Sequence, residues 1–168
     1  KDKISFKKLK VKKNIINKLE KKLILFDTKI GRSASNILKS QVQNINTNSN
    51  TKNYISKMVE LSYLLYSELS SNNISSFGEI LDENWKLKKL LSNNVSNNLV
   101  DHYYNTAKKN GAIGGKLLGA GKGGFLMLYA NQNHHNKIIN SLKKLNYFRI
   151  KFENKGSEVI FNNDNQNK

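Results

Sequence analysis

The chain has 168 residues, a mass of 19.2 kDa and a formal net charge of +17, and it contains neither cysteine nor proline. This length allows one domain, or about one and a half at the usual ~100–200 residues per domain. The absence of cysteine excludes disulfide scaffolds, Cys-based zinc sites and thiol catalysis. With 38% hydrophobic residues and no apolar run of membrane-spanning length, we expect a folded cytoplasmic protein with no membrane partner.

Lysine accounts for almost all of the positive charge, because only Arg32 and Arg149 are arginines. Such an excess often indicates a polyanionic partner, above all a nucleic acid. Lys, Asn and Ile are, however, encoded by the most A/T-rich codons, so a low-GC genome accounts for much of the excess. We therefore do not expect a nucleic-acid partner, and we keep a stand-alone basic nucleic-acid-binding domain as the alternative function.

The first third of the chain begins with a basic segment over residues 1–22, with a short helix predicted over 14–22. Residues 23–26, Leu-Ile-Leu-Phe, have the length and apolar character of a buried strand. A helix is predicted over 32–43. The almost entirely polar run 44–53 is predicted to be a loop.

Helices dominate the middle of the chain. Apolar residues recur with the helical period over 52–69 and again over 74–91. A third helix is predicted over 97–109. Trp85, Tyr103 and Tyr104 lie on these apolar stripes, so we expect them in the core rather than as stacking platforms.

Seven of the ten glycines lie between positions 111 and 124, directly after the third helix. Glycine lets consecutive backbone N–H groups point inward and bind a phosphate, because no Cβ intervenes. Lys116 and Lys122 would add positive charge there. The alternative is a tight turn that leads into a buried strand. The predicted order of helix, loop and strand, with no hydroxyl after Lys122, excludes both the dinucleotide fingerprint and the Walker loop.

The last third combines apolar strands with one short helix. A central strand is predicted over 125–130 and an amphipathic helix around 138–145. Period-2 alternation predicts a half-buried strand over 148–152, which a turn at 154–156 would join to a second arm over 158–161. Strands that pair at the end of the chain, with helices clustered in the middle, indicate the α+β class.

The three histidines, His102, His134 and His135, have no further ligands at metal-binding spacing. We therefore predict that they are surface residues, and we expect no metal ligand in this chain.

The glycine-rich segment resembles a motif of a known enzyme family. Residues 116–125, Lys-Leu-Leu-Gly-Ala-Gly-Lys-Gly-Gly-Phe, are similar to the third, C-terminal motif of the GHMP kinases, the superfamily of galactokinase, homoserine kinase, mevalonate kinase and phosphomevalonate kinase. Segments 26–35, 85–92 and 110–119 resemble the subgroup that phosphorylates D-glycero-D-manno-heptose 7-phosphate. The resemblance extends over residues 23–161.

This resemblance implies an α+β fold, the GHMP-kinase C-terminal domain, with a ferredoxin-like antiparallel sheet and a cluster of helices. It also implies an ATP-dependent small-molecule kinase that uses Mg²⁺ and a sugar-phosphate substrate, or else a galactokinase-like or mevalonate-kinase-like member of the superfamily. On this basis residues 1–22 are the end of an N-terminal half, 23–161 are the C-terminal domain and 162–168 are a frayed tail.

Site residues follow from the same resemblance. Those of the ATP phosphate loop would be Gly119, Ala120, Gly121, Lys122, Gly123 and Gly124. Candidate substrate-binding residues are Thr28, Arg32, Ser33 and Lys116. The planar guanidinium of Arg32 suits a sugar phosphate, and an ion pair with a carboxylate such as Asp27 is the alternative. No catalytic residue is expected in this chain.

The chain begins with Lys1 rather than Met, and it contains no proline. GHMP kinases carry a Pro-x-x-x-Gly-Leu-Gly-Ser-Ser ATP loop in their N-terminal domain, which this chain therefore cannot contain. We expect it to be the C-terminal domain of such a kinase, inactive without its N-terminal half. An exposed apolar interdomain surface would then make the isolated chain poorly soluble.

Overall fold

The structure, a computed structural model, describes residues 9–31, 34–47, 49–153 and 155–161. The described elements are, in chain order, α1 Lys13–Lys22, β1 Leu23–Asp27, α2 Ala34–Thr47, α3 Ser49–Ser70, α4 Phe77–Leu90, α5 Asn98–Lys109, β2 Ala112–Leu117, β3 Phe125–Ala130, α6 Gln132–Ser141 and β4 Asn146–Arg149. The predicted tail 162–168 lies outside the described residues. Helices and strands occur together, so the α+β class is confirmed.

The four strands form one sheet in the order β2-β3-β1-β4, and each neighbouring pair is antiparallel. Helices α2 to α5 connect β1 to β2, and α6 connects β3 to β4. This is the split βαβ arrangement of ferredoxin-like folds, as predicted. The two central strands, β1 and β3, are the two apolar runs that the sequence identified as buried strands.

The core has two parts because successive side chains of a strand point to opposite faces of the sheet. On one face, Ile24 and Phe26 pack with Trp85, Tyr104 and apolar residues of α5 and α6. Trp85 and Tyr104 are buried there, as predicted, and Tyr103 is partly buried against the same cluster. A second cluster on the opposite face combines β1, β3, α1, α3 and α4, and its buried members are Leu19, Leu23, Phe77, Leu81 and Tyr129.

Two helix boundaries differ from prediction. The polar run 44–53 is not a loop, because α2 extends to Thr47 and α3 begins at Ser49. Polar side chains of α2 bond to the end of α4: Asn44 Nδ2 donates to the Leu91 carbonyl at 2.8 Å. The next helix, α4, begins at Phe77 rather than at 74, because Asn73 accepts from the N–H of Ser75 in a local turn that competes with helix.

Strand β2 lies where the sequence predicted part of a glycine loop, so that prediction was wrong. Its residues pair with β3 from Ala112 to Leu117. Gly114 and Gly115 have little intrinsic strand preference, but the fold requires them. A Cβ at Gly114 would lie 1.8 Å from the Gly78 carbonyl oxygen of α4, and one at Gly115 would lie 2.3 Å from the Met127 carbonyl oxygen.

The predicted C-terminal hairpin is also wrong for the described residues. Strand β4 ends at Arg149, and the described residues from 150 to 161 have no regular secondary structure. The buried carboxylate of Glu20 in α1 accepts from the Phe152 N–H at 2.9 Å and from Lys151 Nζ at 3.0 Å. These two bonds lower the pKa of Glu20 and hold the chain against α1 instead of along the sheet.

Asp82 joins α4 to α5 through its carboxylate. It accepts from the Tyr104 hydroxyl, and it lies 3.0 Å from Lys86 Nζ and 3.3 Å from Lys108 Nζ. Burial raises the pKa of Asp82, but the bonds from Tyr104 and Lys86 and the charge of Lys108 outweigh burial, so the pKa is lowered overall. The ionised carboxylate is thus the stable form in the folded chain.

We expect Asp82→Asn to lower the free energy of unfolding by about 1–3 kcal/mol, because it removes the charge that partners two lysines. Equilibrium urea unfolding measures this change. The matched control is Glu83→Gln, since Glu83 is half-exposed and its contact with Lys86 is longer, at 3.5 Å. That variant should stay within about 0.5 kcal/mol of the original chain, and equal losses in both variants would contradict the role of Asp82.

His135 is buried, so its prediction as a surface residue was wrong. Its Nε2 lies 3.3 Å from the Ala130 carbonyl oxygen, and its Nδ1 contacts the Arg149 guanidinium. Since Arg149 can only donate, the ring accepts at Nδ1 and donates at Nε2. Burial and the charge of Arg149 lower the pKa of His135. The neutral ring therefore links α6 to β4.

We expect the free energy of unfolding to fall between about pH 7 and pH 5.5. The unfolded chain binds a proton at His135 near its usual pKa of ~6.5, while the folded chain does not, so stability is full above that pH and falls below it. The loss is at most about 1.4 kcal/mol per pH unit. Thermal unfolding at several pH values measures it. His135→Gln should flatten this dependence, whereas the same change at exposed His102 should leave it intact.

Candidate phosphate-binding loop

The seven residues between β2 and β3, from Leu118 to Gly124, form a loop at one edge of the sheet. Thr28, which follows β1, donates to the Gly124 carbonyl oxygen from both its backbone N–H (2.9 Å) and its hydroxyl (2.7 Å). Thr28 is 2% exposed. This predicted site residue thus fixes the end of the loop to the end of β1.

The loop turns its carbonyl oxygens toward the protein. Lys88 Nζ donates to the Gly119 carbonyl, Gln41 Nε2 donates to the Ala120 carbonyl at 3.3 Å, and Asn97 Nδ2 donates to the Lys122 carbonyl at 2.8 Å. These donors come from α4, α2 and the residue before α5. Three helices therefore fix the conformation of the loop.

Backbone N–H groups remain available once the carbonyls are held. The N–H of Lys122 donates to the Val95 carbonyl at 2.8 Å. Within the described part of the chain, no acceptor is found for the N–H groups of Gly119, Ala120, Gly121 and Gly124. Positive φ values of 81° at Gly119, 136° at Gly121, 58° at Lys122 and 94° at Gly124 turn the backbone sharply several times, and changes between right- and left-handed residues are typical of anion-binding concavities. The loop can therefore bind an oxyanion.

Packing also explains two of the loop glycines. A Cβ at Gly121 would lie 2.5 Å from the Val95 carbonyl oxygen, and a Cβ at Gly123 would lie 2.4 Å from the Ile30 carbonyl oxygen. The sequence offered a phosphate loop and a tight turn as alternatives, and the geometry combines them. These glycines let the loop pack tightly, and this packing leaves the N–H donors in a fixed arrangement.

The two lysines of the segment have different surroundings. Lys122 lies within the loop and lines a cleft beside the α4–α5 connection, together with Lys89 and Asp101. Lys116 lies on β2, where its Nζ donates to Asn84 Oδ1 of α4 at 2.9 Å. Burial lowers the pKa of Lys116.

Arg32 and Ser33 lie outside the described residues, so their predicted substrate contacts stay predictions. The same applies to the alternative ion pair between Arg32 and Asp27. The described environment of Asp27 contains one local bond, in which its carboxylate accepts from the Lys29 N–H at 2.9 Å. The connection that follows β1 is nevertheless close to the loop at residue 30, because Ile30 contacts Gly123.

The side chains that hold the loop, Gln41, Lys88 and Asn97, were not predicted from the sequence. Asn97 also caps α5, accepting from the N–H groups of Leu99 and Val100. That N-cap signal was readable in the sequence. Nothing in the local sequence of Gln41 identifies its bond to a residue 79 positions away.

Part of the sheet face next to the loop is apolar and only partly covered by described residues. Cross-strand pairing places Met127, Leu25 and Phe148 in one row on this face. Phe125 follows on the same face, 6.0 Å from Phe148 between ring centroids, and the two are 42% and 47% exposed. We call these four residues the open shelf. Helices α3 and α4 cover the preceding row, around Leu23, and Met127 packs against the edge of that cluster.

Two further properties concern metals and membranes. The described residues contain no group of three or more His, Asp or Glu side chains that could hold a metal ion. None of the described helices has the length and apolar character needed to cross a membrane.

The fold and the loop define a class of protein. Residues 65–147 match the sequence model of the family described as GHMP kinases C terminal. The part of the chain that contains the loop is thus similar to the C-terminal domain of GHMP kinases, as the third-motif resemblance indicated.

Within that class, the chain is similar to the D-glycero-alpha-D-manno-heptose 7-phosphate kinase of Campylobacter jejuni. The two are 27% identical over 136 residues, which are 81% of this chain and 40% of the relative. The chain therefore spans about two fifths of the length of this curated relative.

Solved structures show the same fold at lower identity. The mevalonate kinase of L. major is 20% identical with a TM-score of 0.65, over 73% of this chain and 37% of that one. The phosphomevalonate kinase of Streptococcus pneumoniae is 19% identical with a TM-score of 0.63, over 76% of this chain and 39% of that one. This likeness establishes the ferredoxin-like architecture of the domain.

Proposed function

We propose that this chain is the C-terminal part of a cytoplasmic ATP-dependent kinase whose acceptor is a sugar phosphate of the heptose 7-phosphate type. The observation that carries the proposal is the loop, whose carbonyls are held by the protein while N–H donors at Gly119, Ala120 and Gly121 have no acceptor among described residues. The similarity to a heptose 7-phosphate kinase supports the choice of acceptor.

Phosphoryl transfer depends mainly on positioning and on stabilising charge at the phosphate oxygens. ATP would supply the phosphoryl group. The N–H groups of Gly119, Ala120, Gly121 and Gly124 would donate to its phosphate oxygens, and Lys122 would add a positive charge. Contacts of Gly121 with Val95 and of Gly123 with Ile30 fix these donors before the nucleotide binds. We place the magnesium ligands outside the described residues.

We further propose that an N-terminal kinase domain covers the open shelf and completes the cleft. Two observations support this partner. The shelf is apolar and lies beside the loop. The chain also spans only 40% of the length of its relative. Residues 23–161 would then be the C-terminal domain, with 1–22 leading in from the N-terminal half.

The acceptor would bind near the connection that follows β1. Thr28 holds this connection against the loop, and Ile30 contacts Gly123. Arg32 and Ser33 come next in the sequence. We propose that Arg32 donates to the phosphate of the acceptor, because its guanidinium can form two parallel bonds to phosphate oxygens.

The test uses the complete protein, with its N-terminal domain, and measures ADP release from MgATP. We expect kcat/KM for D-glycero-D-manno-heptose 7-phosphate to exceed that for mevalonate and galactose by at least about 100-fold. Turnover of mevalonate or galactose instead would support the kinase activity but refute the proposed acceptor. Failure to use any of the three would contradict the proposed function.

A further inference from the structure

Lys116 is a half-buried cation close to the loop. It is the fifth residue of β2 and precedes the loop by one residue. Its cross-strand partner is Met127, so its side chain lies on the same sheet face as the open shelf. Lys116 therefore ends the row that Met127, Leu25 and Phe148 form across the sheet.

The ammonium of Lys116 has a neutral partner and no carboxylate. Asn84 Oδ1 accepts from it at 2.9 Å. Among the described residues, no carboxylate lies within ion-pairing distance of its Nζ. The acidic residues of the adjacent turn of α4, Asp82 and Glu83, pair with Lys86 at 3.0 and 3.5 Å.

Lys108 is a structural lysine of this domain, because a carboxylate neutralises its charge. Its Nζ lies 3.3 Å from the Asp82 carboxylate and donates to the Ile113 carbonyl at 2.6 Å. Lys116 is held by the same helix and strand, but its charge is not neutralised. Burying an ammonium beside a single neutral acceptor carries a desolvation cost, which accords with its lowered pKa.

From this contrast we infer that Lys116, oriented by Asn84, binds a phosphate group next to the glycine loop. An ammonium has three donors, and the bond to Asn84 uses one of them. The inference rests on the proposed kinase function, which provides two sources of that phosphate. One is the nucleotide, and the other is the phosphate that the acceptor already carries.

The experiment measures the acylation rate of each lysine in the complete protein by mass spectrometry. Labelling is compared without ligand, with MgATP, with heptose 7-phosphate and with the unphosphorylated heptose. We expect one phosphorylated ligand to slow acylation of Lys116 by at least about fivefold, because a bound phosphate stabilises the ammonium and so lowers the fraction of the free amine, which is the nucleophile. Lys57, exposed on α3, is the internal control and should react at one rate throughout.

The ligand that protects Lys116 identifies the source of the phosphate. Protection by MgATP assigns Lys116 to the nucleotide, and protection by heptose 7-phosphate assigns it to the acceptor. The unphosphorylated heptose should give no protection. If neither phosphorylated ligand protects Lys116 at a concentration that saturates turnover, the inference is wrong.

Variants provide a second readout. Lys116→Met should raise KM for the protecting ligand by at least about tenfold, with kcat changed by less than about threefold. Lys116→Arg should restore part of the loss, which a purely structural role would not require. Unchanged KM values for both ligands in Lys116→Met would overturn the inference.

The two proposals fail in different ways. A protein that transfers phosphate while Lys116 stays unprotected refutes the role of Lys116 alone. A protein that transfers nothing, but in which ATP or heptose 7-phosphate protects Lys116, refutes the kinase function and supports the phosphate site.

Discussion

Replacing Gly114 by alanine should destabilise the domain by about 3 kcal/mol or more. A Cβ there would lie 1.8 Å from the Gly78 carbonyl oxygen and 3.0 Å from the Asp82 nitrogen, both in the backbone of α4. Backbone atoms within a packed helix cannot move aside as a flexible side chain would. The substitution must therefore separate α4 from β2, and overpacking of this kind typically costs ~1–3 kcal/mol or more.

Urea unfolding followed by the fluorescence of Trp85, the single tryptophan of the chain, measures this loss. Trp85 is fully buried on α4, so its emission reports on the contact that Gly114 allows. Gly31→Ala is the matched control, because no atom lies within 4 Å of a Cβ at that position. We expect the free energy of unfolding of the control to stay within about 0.5 kcal/mol of that of the unchanged chain. Equal unfolding midpoints for the two variants would refute the packing described for Gly114.

Replacing Gly123 by valine should reduce phosphoryl transfer by the complete protein at least about 100-fold. A Cβ at Gly123 would lie 2.4 Å from the Ile30 carbonyl oxygen, so the loop must move away from the connection that follows β1. Displacing positioned donors by about 1 Å can cost roughly 100-fold in rate. Gly121→Val should have a similar effect, since its Cβ would meet the Val95 carbonyl oxygen at 2.5 Å and its φ is 136°.

Steady-state kinetics and thermal unfolding together separate this loss from unfolding. The Gly123→Val protein should remain folded at the assay temperature while kcat/KM falls. A His102→Gln variant, changed at an exposed residue of α5, serves as the control and should retain its activity. A folded Gly123→Val protein with full activity would show that the loop does not position phosphate.

Local patterns in the sequence identified the two central strands. The apolar run Leu23 to Phe26 is one of them, with Leu23, Ile24 and Phe26 buried, and the run from Phe125 to Ala130 is the other. Helix α5 was readable from its apolar stripe and from Asn97, which caps it.

Elements that depend on distant contacts could not be predicted in the same way. The strand from Ala112 to Leu117 contains two glycines, and its pairing with β3 and its contact with α4 outweigh their weak strand preference. The segment after Arg149 alternates like a strand, but Glu20, more than 100 residues earlier, binds Lys151 and Phe152 instead. Period-2 alternation cannot predict that a distant carboxylate will bind the segment and keep it out of the sheet.

The candidate site also has one feature that the sequence predicts and others that depend on distant contacts. The position of the loop was predictable from its glycines and from the motif that they form. Its conformation was not, because Gln41 and Lys88 reach it from 79 and 31 residues away. Thr28 was predicted as a substrate contact, and the structure shows the bond by which it holds the Gly124 carbonyl. The open shelf became visible only once the register of the four strands was known.

The most direct test of the loop's role is the NMR signal of its backbone amides in the complete protein, recorded with and without a non-hydrolysable ATP analogue and Mg²⁺. If the loop binds nucleotide phosphates, the amides of Gly119, Ala120, Gly121 and Gly124 shift and exchange more slowly with solvent, while that of Lys122, already bonded to Val95, changes least. If the analogue binds at saturation and these four amides do not change, the loop is not the phosphate site.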